Sequence, residues 1–100
     1  MKKIAIIGDG GWGTALALVL HRHNHPVTIW SPFPDYLETI RQQGENIKFL
    51  PGIPLPTAIE WTSRYEDISR ADAIVLASPS KYFRSVLATL ASHIRPDQPV

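Results

Sequence analysis

Ile4 to Ile7 is a short, unbroken apolar run, and it ends directly in Gly8-Asp9-Gly10-Gly11-Trp12-Gly13. An apolar run without alternation predicts a strand buried on both faces, as in a parallel sheet. Three glycines spaced G-x-G-x-x-G after such a strand, with a helical pattern following, constrain the chain more than any other feature. Gly8 permits the tight turn out of the strand. Gly10 lets backbone approach a pyrophosphate, and Gly13 lets the helix pack closely on the strand. The N–H groups of Gly11 and Trp12 are expected to face the phosphates at the helix start, where the helix dipole favours negative charge. A glycine-rich turn without a ligand is the plain alternative, and the flanking strand and helix weigh against it.

The rest of the chain predicts an alternation of strands and helices. Trp12 to Leu20 reads as a helix, with Asn24 and Pro26 as its stop. Val27 to Trp30 is a second strand. Ser31-Pro32-Phe33-Pro34 is a turn, because its two prolines exclude a central strand. Asp35 is the expected N-cap of a helix to about Gln43, with Tyr36, Leu37 and Ile40 on one face and Gly44 ending it. Glu45 to Thr57 is a loop. Ala58 to Trp61 is expected as a third strand, Ser63 to Arg70 as a short helix and Ala73 to Ala77 as a fourth strand. A helix from Tyr82 to Ser92, a turn at Arg95-Pro96-Asp97 and a new strand near Val100 complete the pattern. The expected architecture is α/β: a Rossmann-type, doubly wound parallel sheet in the order 3-2-1-4, comprising strands 1–4 and the start of a fifth.

Composition excludes several alternatives. At 100 residues the natural expectation is one domain spanning 1–100, and 44% hydrophobic with 19% charged residues suits a globular chain. A formal net charge of +1 gives no reason to expect nucleic acid. Cysteine is absent, which removes disulfides and thiolate metal sites. No run reaches the roughly 18 apolar residues of a membrane span, and nothing at the start resembles a signal peptide. A cytoplasmic location is the expectation. His21, His23 and His25, spaced by two, do not share one helical face, and the end of a helix favours their charge. They are not expected to bind metal. Lys81 reads as a solvated surface lysine, Trp61 and Tyr65 as packing, and no carboxylate pair suggests acid–base work.

A dinucleotide fold usually places an acidic residue at the end of the second strand, about 20 residues past the glycines, to hold the ribose 2′-OH. Here that strand ends Ile29-Trp30-Ser31-Pro32, with no carboxylate, Arg or Lys, so the residues leave both NAD and NADP open. Ser31 is the candidate for the ribose. Phe33 could cover the adenine face or simply the turn.

Several segments in order resemble one family. Gly8 to Ala17 is similar to the G-x-G-x-W-G-T-A-L-A opening of bacterial NAD(P)-dependent glycerol-3-phosphate dehydrogenases, and Trp30 matches a tryptophan closing their second strand. Asn46-Ile47-Lys48-Phe49-Leu50-Pro51-Gly52 with Leu55-Pro56 resembles their N-x-x-Y/F-L-P-G-x-x-L-P loop, the most specific of these motifs. Ala71-Asp72-Ala73-Ile74-Val75 and Pro79-Ser80 resemble a further segment and turn. The resemblance implies cofactor contacts at Gly8, Gly10, Gly11, Trp12 and Gly13, with Pro32 and Phe33 near the adenosine and Tyr82 near the nicotinamide. It implies reduction of dihydroxyacetone phosphate to sn-glycerol 3-phosphate for phospholipid synthesis, and it allows a homodimer of the complete enzyme. The family's further cofactor-contacting lysine and its catalytic lysine match no residue here, so no catalytic residue is assigned and the 100-residue chain alone is expected to be inactive. Asp9 stands where the family has a small residue and is expected to repel a pyrophosphate. Pro32 stands where it has a basic or aromatic one. The alternatives are a nucleotide-binding module without catalysis and the first domain of another Rossmann dehydrogenase, such as one acting on sugar nucleotides. The Asn46 to Pro56 loop argues against the latter.

Overall fold

The computed structural model describes residues 2–8, 10–46, 48 and 50–77. Within them the order is β1 (Ile4–Ile7), α1 (Gly11–Arg22), β2 (Val27–Trp30), α2 (Pro34–Gln43), β3 (Glu60–Thr62), α3 (Tyr65–Ser69) and β4 (Ala73–Leu76). The four strands form one parallel sheet in the order β3-β2-β1-β4, as expected. β1 lies between β2, with Ile4 opposite Val27 and Ile7 opposite Trp30, and β4, with Ile4 opposite Ala73 and Ile7 opposite Leu76. The expected helix at 82–92, the turn at 95–97 and the strand at Val100 lie outside the described residues.

Alternate residues of each strand feed two separate cores. Ile6, Val27, Ile29 and Trp61 pack with Ala17 of α1 and with Leu37 and Ile40 of α2. Ala5, Ile7, Trp30 and Ile74 pack on the other face with Ile68 of α3 and with Ala71. Helices therefore cover both faces, which is why β1 and β4 read as continuous apolar runs. This is a Rossmann-like α/β sheet. Trp61 is buried in the first core, and Tyr65 lies against Trp30 with ring centroids 4.8 Å apart.

Local chemistry sets the helix ends. The α1 helix closes in a Schellman motif: Asn24 takes φ 68°, its N–H bonds to His21 O at 2.9 Å, and His25 N–H bonds to Leu20 O at 3.0 Å. Gly44 closes α2 at φ 71°. Three expectations shift. Asp35 is not the N-cap of α2: Phe33 holds that position, Pro34 is the first helical residue, and Asp35 lies in the first turn. Proline suits that position because its missing N–H would be unpaired there anyway. The third strand starts at Glu60 rather than Ala58, since Ile59 N–H bonds back to Pro56 O at 3.2 Å in a turn. The third helix is confined to Tyr65–Ser69, because Thr62 Oγ1 accepts the Arg64 N–H at 3.1 Å and holds the preceding residues in a turn.

Candidate nucleotide site

All four strands end on one edge of the sheet, and their ladder continues there for one more residue. Gly8 N–H bonds to Trp30 O (2.8 Å), Ser31 N–H to Thr62 O (3.0 Å) and Ala77 N–H to Ile7 O (3.0 Å). The chain winds outward from β1 to β3 and then returns to β4 on the other side of β1. Open α/β sheets bind ligands at such a switch point, outside the carboxyl ends of the strands. The glycine turn leaves β1 there.

The glycines have different surroundings. Gly8 adopts φ 132°, a backbone conformation that side-chain-bearing residues rarely take. A Cβ on Gly13 would stand 2.7 Å from Gly8 O, 3.4 Å from Ile6 Cγ2 and 3.5 Å from Ala77 Cβ, so this glycine sets how closely α1 sits on the sheet. Gly10 is the N-cap of α1 at φ −69°, and a Cβ there would meet nothing within 4 Å among the described residues. Among the described residues no side chain caps the helix, and no acidic residue lies in its first turn. The N–H groups of Gly11, Trp12 and Gly13 have no partner within the helix, as at any helix start. They form a donor set at the Gly10 end of the helix.

Trp12 is 76% exposed and Phe33 47% exposed, so two large aromatic surfaces flank this edge in water. Pro32 is also exposed. Ser31 is fully buried, and its Oγ accepts the Phe33 N–H at 3.2 Å, so the hydroxyl shapes the turn into α2. Asp9 and Tyr82 lie outside the described residues. Away from this edge, His25 Nδ1 lies 3.3 Å from Lys2 O at the opposite end of the sheet.

Three residues without an assigned role in the sequence reading meet beside the glycine turn. Thr14 Oγ1 donates to Gly10 O at 2.9 Å, Asn46 Nδ2 donates to Thr14 Oγ1 at 2.8 Å, and Tyr36 O–H donates to Asn46 Oδ1. Thr14 and Asn46 are fully buried. In the sequence Asn46 belongs to a loop motif, Tyr36 to a helix face and Thr14 to the segment after the glycines. A contact between residues 32 apart leaves no periodic trace in a single sequence.

Residues 3–100 match the family model described as the N-terminus of NAD-dependent glycerol-3-phosphate dehydrogenase. The chain belongs to this family. It is 44% identical over 98% of its length to glycerol-3-phosphate dehydrogenase [NAD(P)+] 2 of Sphingopyxis alaskensis, and 40% identical over 99% to glycerol-3-phosphate dehydrogenase [NAD(P)+] of Paramagnetospirillum magneticum. It spans 29% of the first relative's length and 36% of the second's. The crystal structure of the Coxiella burnetii glycerol-3-phosphate dehydrogenase superposes with a TM-score of 0.88 at 32% identity, over 97% of this chain and 30% of that one. The matched span takes in both the glycine turn and the Asn46 to Pro56 loop.

Proposed function

We propose that the turn from Gly8 to Gly13 binds the pyrophosphate of NAD or NADP, and that this chain is the dinucleotide-binding part of a glycerol-3-phosphate dehydrogenase. Gly10 carries the argument. The backbone conformation explains Gly8, and contact with the sheet explains Gly13. Gly10 has an ordinary φ and open space around its Cα, so the fold alone does not require glycine there. A ligand drawn against the backbone would. The helix-start N–H groups of Gly11, Trp12 and Gly13 supply the matching donors. The exposed faces of Trp12 and Phe33 are available to cover the bound dinucleotide, with Pro32 beside the adenosine and Ser31 holding the turn beneath it. Tyr82 is assigned to the nicotinamide side on resemblance alone.

When bound, the reduced cofactor supplies a hydride to the carbonyl carbon of dihydroxyacetone phosphate, and a proton on the oxygen completes sn-glycerol 3-phosphate. The share of this chain is to hold and orient the dinucleotide. We assign the proton donor to sequence outside residues 1–100, so the 100-residue chain alone is expected not to turn over. Residues 1–100 then form one dinucleotide-binding unit, and a cytoplasmic location fits an enzyme drawing on soluble NAD(P)H. No helix among the described residues is long and apolar enough to cross a membrane.

The test is calorimetric titration with NADH of the full polypeptide and of its Gly10→Val variant. A Cβ at Gly10 meets nothing among the described residues, so the expected result is a folded variant, less stable by at most about 1 kcal/mol from weaker capping, with binding abolished. Equal affinities would remove the assignment.

A further inference from the structure

The glycine turn is held from behind by a chain of hydrogen bonds that runs in one direction, from an exposed amide inward to the buried Asn46–Thr14 pair. Lys48 N–H donates to Tyr36 O at 3.1 Å, and Tyr36 O–H donates to Asn46 Oδ1. Asn46 Nδ2 donates to Thr14 Oγ1 at 2.8 Å, and Thr14 O–H donates to Gly10 O at 2.9 Å. The order follows from the groups themselves. Thr14 has one hydroxyl proton, committed to Gly10 O, so its oxygen must accept, and the buried residue facing it must donate. The amide of Asn46 donates on that side while accepting Tyr36 O–H on the other. A carboxylate could not donate at all.

Asn46 is itself fixed at the neck of the loop. Its carbonyl accepts Leu50 N–H at 2.8 Å, Gly44 O accepts Leu55 N–H at 2.8 Å, and Glu45 Oε2 accepts Gly52 N–H at 2.7 Å. The amide therefore projects from a tied segment. Burial makes the link between Asn46 and Thr14 the costliest to leave unmade, and links in series polarise one another.

The chain ends on Gly10 O, which also accepts Thr14 N–H at 3.0 Å. That carbonyl shares its peptide plane with the N–H of Gly11, the first donor of the proposed pyrophosphate site. Holding the carbonyl with two donors fixes the plane and draws electron density from its nitrogen. The Gly11 N–H on the far side is thereby both aimed and made a better donor.

We infer that Asn46 is a positioning residue for the dinucleotide site, acting through Thr14 and the Gly10–Gly11 peptide, and that it couples the loop from Glu45 to Thr57 to cofactor affinity. This rests on the reading that the glycine turn binds the pyrophosphate. The coupling is reciprocal: bound dinucleotide stabilises the loop as much as the ordered loop favours the dinucleotide.

The experiment uses the full polypeptide, with calorimetric NADH titration and thermal melting of the Asn46→Ala, Asn46→Asp, Thr14→Val, Thr14→Ser and Asn46→Ala/Thr14→Val variants. Asn46→Ala and Thr14→Val are each expected to weaken NADH binding about five- to tenfold, the worth of one buried hydrogen bond. The double variant is expected to lose little more than either single one, because both break the same chain. Asn46→Asp is expected to bind at least as weakly as Asn46→Ala, and Thr14→Ser to retain wild-type affinity by keeping the hydroxyl. Melting temperatures that fall while NADH affinity at low temperature stays at the wild-type value would overturn the inference and leave Asn46 purely structural. Should Asn46 variants fail to fold, Thr14→Val against Thr14→Ser decides alone: equal affinities overturn the inference, and loss confined to valine supports it. Gly10→Val in the same titration separates the two readings. If it binds NADH normally, the glycine-turn assignment itself fails. If it does not bind while the Asn46 and Thr14 variants do, only the coupling fails.

Discussion

Alanine at Gly13 and alanine at Gly10 should act on different properties of the molecule. A Cβ on Gly13 would lie 2.7 Å from Gly8 O, a distance real Cβ atoms essentially never show, and the obstacle is backbone. Relief requires α1 to lift from β1 or the Gly8 turn to move, and Gly8 already sits at φ 132° with its N–H bonded to Trp30 O. Overpacking of this kind costs about 1–3 kcal/mol. Replacing glycine by alanine in a helix returns up to about 1 kcal/mol. With the full return, the net expectation is a loss of up to about 2 kcal/mol, at roughly 4–8 °C in melting temperature for each kcal/mol in a domain of this size. At Gly10 the new methyl meets nothing within 4 Å and φ is −69°, so the stability change is confined to the weaker capping of alanine, at most about 1 kcal/mol. Yet this is the position whose methyl would face the pyrophosphate. Thermal melting without nucleotide, followed by NADH titration at a temperature where both variants are folded, measures the two effects separately. Gly13→Ala is expected to melt early, and Gly10→Ala to melt near wild type and bind poorly. A Gly13→Ala protein as stable as wild type would refute the close-packing argument. A Gly10→Ala protein with wild-type affinity would refute the reading of the open space.

Asp9→Ala is expected to bind NADH more tightly at low salt, by about 1 kcal/mol, with the gain shrinking as salt screens the removed repulsion; weaker binding would mean that the carboxylate assists the turn. Arg41 donates to Trp61 O on β3 at 2.5 Å and to Glu38 Oε2 at 2.8 Å from a side chain 45% exposed. Arg41→Met is expected to cost about 1 kcal/mol after solvent screening and to leave NADH affinity unchanged. A melting curve and a titration check both.

The sequence exposed those parts of the fold that depend on neighbours along the chain. The β1 and β4 strands are continuous apolar runs because helices cover both faces of the sheet, and that burial is written locally. So is the glycine turn, whose spacing reflects one strand, one bend and one helix turn. β3 was misplaced because Ala58 and Ile59 look like a strand beginning. Ile59 is buried, but from a turn, and Thr62 pairs with Trp30 in the sheet instead. Asp35 looked like a cap because acidic residues favour helix starts in general. Ser31 and Pro34 already shape that start, Ser31 by accepting the Phe33 N–H and Pro34 by taking the first helical position.

The support of the nucleotide site was illegible for a different reason. Thr14 lies in an apolar helix and reads as one more small residue against the sheet. Tyr36 reads as part of an amphipathic face, and Asn46 as loop. Each reading is correct locally. Their common function appears only where the fold brings a hydroxyl, an amide and a phenol into one line with its centre buried. A buried asparagine must find partners for both ends of its amide, or its burial costs several kcal/mol. The loop therefore cannot leave without exposing Thr14, and Thr14 cannot lose its donor without loosening the peptide at Gly10. Substituting the loop while keeping Asn46 should leave nucleotide affinity largely intact; keeping the loop while losing the amide should not. The asymmetry locates the coupling in one side chain rather than in the loop as a whole.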